Sequence, residues 1–87
     1  MTYVPVGSLW RVLASSQLGQ SRGLTAFMSP DDSHVVTISP ETTFLVGDKR
    51  RRSGDPFSVY VQVLHPSSLF VKIELFEESA GRLKRIL

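Results

Sequence analysis

Turn-forming residues recur at short intervals along the whole chain, and this spacing constrains the fold more than any other feature. The stretches are "VPVGS" at 4–8, "LGQSRG" at 18–23, "SPDDS" at 29–33, "SPE" at 39–41, "VGDKRRRSGDP" at 46–56, "HPSS" at 65–68 and "EESAG" at 77–81. Glycine and proline punctuate local structure because one tolerates positive φ and the other fixes φ and lacks a donor. Between the turns lie runs of about four to ten residues rich in Val, Ile, Phe and Thr, the pattern of a small all-β sandwich or barrel. No internal repeat or low-complexity linker interrupts it. At 87 residues the chain is one domain, 1–87, with a marginal core. There is no cysteine, so neither a disulfide nor a thiolate metal site supports it. Shared burial in a homodimer is then an expected source of stability.

The clearest elements are "FSVYVQVL" at 57–64 and "LFVKIELF" at 69–76. Side chains alternate along a strand, so Phe57, Val59, Val61 and Val63 share a buried face, as do Leu69, Val71, Ile73 and Leu75. Pairing Val63 with Val71 keeps the faces consistent and leaves Pro66, Ser67 and Ser68 as the hairpin loop. The outer face would then carry Tyr60, Leu64, Phe70 and Phe76. That is enough apolar surface to require either a covering element or a partner protein. "LTAFMS" at 24–29, "HVVTIS" at 34–39 and "TTFLVG" at 42–47 also read as strands. Segment 8–18 fits a strand, with Trp10 and Val12 on one face, or a short helix capped by Ser8 and Gly19; the all-β surroundings favour the strand. In the tail "GRLKRIL" the spacing of Leu83 and Ile86 suits a helical turn slightly better than a strand. Tyr3 and Trp10 are expected to pack rather than to form a site.

Ten Lys and Arg against eight Asp and Glu give a net charge of +2, and its distribution matters more than its size. Lys49, Arg50, Arg51 and Arg52 are consecutive, between two Gly-Asp steps. They fall in a connection of about nine residues between expected strands, longer than a usual hairpin loop. Arginine forks suit phosphate oxygens and guanine edges, so DNA or RNA is the expected partner. Arg82, Lys84 and Arg85 would extend the patch if the tail lies beside the loop. The competing account is a solvated loop neutralised by Asp48 and Asp55. Tyr60, Phe70 and Phe76, with Lys72 among them, are the candidates for stacking on bases; packing under a neighbouring element accounts for the same rings.

Support for catalysis is thin. An Asp–His pair from Asp31 or Asp32 to His34 is the one acid–base arrangement offered, and an ordinary turn explains the same residues. No nucleophile elbow, phosphate-cradling glycine loop, cofactor motif or metal-ligand spacing is present. No apolar run reaches the ~20 residues of a membrane-spanning helix, and the opening residues lack the layout of a signal peptide. The sequence therefore points to the cytoplasm and away from a membrane.

Two local resemblances bear on the architecture. "YVPVGSLWRV" followed by "GQSRG…MSP" resembles the opening of the MazF-type ribonuclease toxins, and Arg22 would then be the catalytic arginine. The loop spacing differs and the rest of the chain does not follow that pattern. "TTFLVGDKRRRSG" is similar to a strand and basic loop of the plasmid-borne type II dihydrofolate reductases, which are small SH3-like barrels. It covers about a dozen residues and lacks their Val-Gln-Ile-Tyr stretch. Both imply a small, strongly bent barrel. The expected fold is an SH3-like or related antiparallel barrel of five to six strands, with a short helix at a terminus as an option. The expected function is non-enzymatic nucleic-acid binding by an accessory or regulatory factor without a cofactor. The alternatives are a protein-interaction or assembly module using the apolar sheet face and a toxin-type ribonuclease.

Overall fold

The computed structural model describes residues 3–13, 23–31, 34–64, 68–77 and 80–87. Its strands are β1 (Leu9–Val12), β2 (Leu24–Phe27), β3 (Val35–Ile38), β4 (Thr43–Arg52), β5 (Asp55–Leu64), β6 (Ser68–Lys72) and β7 (Leu83–Arg85). They form one antiparallel sheet in the order β3-β2-β6-β5-β4-β1-β7. The all-β class expected from the turn spacing is therefore present, with seven strands instead of five to six. A 3-10 turn, Ile73–Phe76, is inserted between β6 and β7.

Segment 8–18 begins as a strand in its described part, where Trp10 and Val12 point into the core and Arg11 points out. Gly19 and the remainder of that segment lie outside the described residues, as do Asp32, His65 and Arg22. The tail forms strand β7 rather than a helical turn, because Leu83, Lys84 and Arg85 pair with Val12, Arg11 and Trp10. That pairing buries Leu83 and satisfies backbone groups that a lone turn would leave to water.

The β5–β6 hairpin forms with a register two residues away from the expected one. Val63 faces Leu69, Val61 faces Val71, Gln62 faces Phe70 and Tyr60 faces Lys72. A slip of two preserves which face each side chain occupies, so the apolar pattern alone cannot distinguish the two registers. The slide follows from where β6 ends. At Ile73 the chain leaves the sheet for the 3-10 turn, which carries Phe76 inward. The Phe76 ring meets Trp10 edge-on at 5.1 Å and Phe44 at 6.1 Å between centroids. Continuing the strand would have left Phe76 on the outside; turning it in covers the aromatic end of the core.

The core is continuous from Val4, Trp10 and Val12 through Phe44, Val46, Val61 and Val63 to Val71 and Leu83. Each such fully buried side chain contributes about 1.5–3 kcal/mol relative to exposure. The Trp10 indole N–H donates to the Ser8 hydroxyl at 2.9 Å, which donates to the Pro5 carbonyl at 2.6 Å, so the buried polar atoms there are paired. Gly23 is needed by contact: a Cβ there would collide with the Ile38 carbonyl and the Thr37 methyl.

Candidate nucleic-acid interface

The basic run does not lie in a long loop. β4 continues through Arg52, β5 starts at Asp55, and only Ser53 and Gly54 connect them. Gly54 has φ +78°, the backbone that a tight turn requires at that position. The expected nine-residue connection is thus the distal half of a hairpin whose two strands are ten residues each.

Two irregularities decide where its side chains point. The first separates Val46, opposite Val63, from Lys49, opposite Val61. Gly47 and Asp48 together face Gln62, and the Gln62 amide oxygen accepts from the Asp48 N–H at 3.4 Å. This extra residue reverses the alternation. Lys49 and Arg51 consequently share a face with Val61 and Val59, while Arg50 opposes Tyr60 on the other. The second separates Arg51, opposite Val59, from Arg52, opposite Asp55. Pro56, Phe57 and Ser58 are left out of the ladder. The Asp55 carboxylate organises this bulge, accepting from the Phe57 N–H at 3.1 Å and the Ser58 hydroxyl at 2.6 Å. An aspartate bonded to the amide two residues on is the usual way this residue fixes a turn. Pro56 costs nothing here, since no ladder donor is needed, and its carbonyl accepts from the Arg51 guanidinium at 3.2 Å.

The bulge ejects Phe57, which is 90% exposed although simple alternation places it on the buried face. It borders a groove of about 450 Å³ whose one wall carries Lys49 and Arg51. Val59 and Ile73 form the apolar floor, and Glu74 and Glu77 the opposite wall. The Ser58 hydroxyl, with the Phe57 N–H and the Arg52 charge, holds the Asp55 carboxyl below its ordinary range. Asp55 therefore stays ionised and keeps the bulge closed at neutral pH. At the tip, the Asp31 carboxylate accepts from the Ser53 N–H at 2.7 Å and from its hydroxyl at 3.2 Å. Asp31, one of the two aspartates considered as partners for His34, thus engages the hairpin turn.

The remaining cations do not extend this surface. The half-buried Arg82 donates to the Gly23 carbonyl at 2.7 Å and ties the approach to β7 to the start of β2. Lys84 and Arg85 are exposed on β7, an edge strand. Lys84 pairs with Arg11, which pairs with Thr43 at the opposite end of β4, roughly 20 Å along the strand from Lys49. The seven candidate residues therefore form no single patch.

The outer aromatic face also differs from expectation. Tyr60 is 4% exposed with Phe27 edge-on at 5.8 Å, and Phe76 is 1% exposed inside the core. Phe70 is half-buried, and only Leu64 is open to solvent. Covering elements account for those rings, so they offer no free stacking platform; Phe57 does. Leu64 belongs to a different feature. It pairs with Leu45, Leu45 with Leu9, and Leu9 exchanges backbone hydrogen bonds with Leu87. Opposed residues share a face, so these leucines make an apolar row across β5, β4 and β1 that reaches the residue two beyond β7.

The chain matches no protein-family model, no curated protein and no solved structure. Among the described residues no helix is long and apolar enough to cross a membrane.

Proposed function

We propose that this chain is a non-enzymatic module that binds single-stranded nucleic acid with the distal half of its β4–β5 hairpin, as an accessory or regulatory factor. The observation that carries the reading is the exposed ring of Phe57 beside Lys49 and Arg51. Single-strand binders combine backbone-following cations with a flat ring on which any base can stack. Arg50 and Arg52 add phosphate contacts along the strand, and the ordered bulge presents Phe57 without a further ordering cost. The cytoplasm, where such polymers are abundant, is the compartment consistent with it.

A salt titration against random single-stranded DNA and RNA tests this directly. With four cations engaged, log K should fall with log salt at a slope of about −3. The triple variant R50S/R51S/R52S should lose retention at about 50 mM salt while keeping its far-UV spectrum. Phe57→Ser should weaken binding by about 1–3 kcal/mol with an unchanged salt slope. Absence of wild-type binding to either polymer at that salt would remove the proposal.

Self-association is the second reading, carried by the row Leu9, Leu45, Leu64 and Leu87 rather than by the aromatic face. Light scattering should then give a dimer mass that L45S/L64S reduces to a monomer. A monomeric wild type at high concentration would sink this reading and leave the first untouched.

A further inference from the structure

The groove beside Phe57 is polarised, and a phosphate-binding strip alone does not account for that. Glu74 and Glu77 stand opposite Lys49 and Arg51, both exposed, with the 3-10 turn holding them at the groove's edge. Two acids on a surface meant only for a polyanion weaken it. They gain a purpose if the polyanion enters with its backbone toward the cations and its bases toward the acids. A carboxylate only accepts hydrogen bonds. Cytosine offers it the N4 amino group, whereas thymine presents the O4 acceptor at the same place on the ring and uracil does likewise.

We infer that the groove selects an amino-bearing base, cytosine foremost, from a single strand. The phosphate lies on Lys49 and Arg51, the base stacks on Phe57, and its exocyclic amine donates to Glu74 or Glu77. This inference rests on the nucleic-acid reading above and adds base preference to it. The groove volume of about 450 Å³ lies in the range of sites that enclose small organic ligands, so a base with its sugar is of suitable size.

Fluorescence anisotropy with labelled 12-mers of oligo-dC, oligo-dA and oligo-dT at pH 7.5 and about 50 mM salt separates the possibilities. Oligo-dC should bind about ten-fold tighter than oligo-dT, with oligo-dA between them. The double variant E74Q/E77Q, whose amides also donate, should bind all three more tightly and bring the dC-to-dT ratio close to one. The R50S/R51S/R52S variant should weaken all three alike. Equal wild-type affinities for oligo-dC and oligo-dT, or a ratio that E74Q/E77Q leaves unchanged, would overturn the base preference while nucleic-acid binding stands. If no 12-mer binds the wild type, the underlying reading falls with it.

Discussion

The two halves of the β4–β5 hairpin share the same pair of strands and have opposite fates. In the proximal half, Phe44 and Val46 face the core with Val63. In the distal half, every β4 residue from Asp48 to Arg52 is exposed, and Phe57 stands in solvent. Between them lies one extra residue at Gly47-Asp48. The proximal half is fixed by burial, which tolerates little change. The distal half is fixed by a few hydrogen bonds from Asp55, Asp31 and Arg51, so its side chains remain available. Strand structure by itself does not mark a residue as part of the core; coverage by neighbouring strands does.

This contrast can be broken most sharply from the core side. Phe76→Ala should cost about 3–5 kcal/mol in urea denaturation, because it opens a cavity against Trp10 and Phe44. An effect below about 1 kcal/mol would mean that the 3-10 turn does not close the core. Gly23→Ala should destabilise by about 1–3 kcal/mol, since the added methyl group meets Ile38 backbone, which cannot yield cheaply. Asp31→Ala should cost about 1 kcal/mol and should raise hydrogen exchange at Ser53 without altering exchange at Val63. Equal changes at both amides would show that the halves are not independent.

The smallest effect expected is electrostatic. The folded-state pKa of Asp55 is depressed, so its contribution is fully present above the ordinary unfolded value of about 3.9. That contribution is lost as pH falls through the lower folded value. The protection of the Phe57 amide, its exchange relative to the intrinsic rate at the same pH, should therefore fall below about pH 4, and Asp55→Asn should flatten that dependence. Loss of protection between pH 5 and 7 would assign the effect to another group.

The sequence conveys strands well and phase poorly. Alternation over Val59, Val61 and Val63 and the β-branched run before Ile38 identify their strands because burial on one face imposes a two-residue period. The Val63 partner was not legible, since a slip of two residues leaves every face unchanged. Phe57 was misplaced because a bulge breaks the alternation that placed it. Its one local signal is Asp55-Pro56, an aspartate able to bond the second amide onward beside a residue that cannot join a ladder. The exposure of Lys49 to Arg52 follows from their charge; their division between two faces depends on a single residue at Gly47-Asp48. Strand β7 was obscured by its brevity, as three residues carry no detectable period.

The position of β1 has a consequence for how the molecule forms. It lies between β4 and β7, so its hydrogen-bonding partners come from the middle and the far end of the chain. Such distant pairings incur loop-closure entropy before any contact repays it, which places folding in the millisecond-to-second range rather than in microseconds. The sole tryptophan, Trp10, sits in that strand against the ring of Phe76. Its fluorescence after dilution from urea is therefore a built-in clock for the moment at which the two ends of the chain meet.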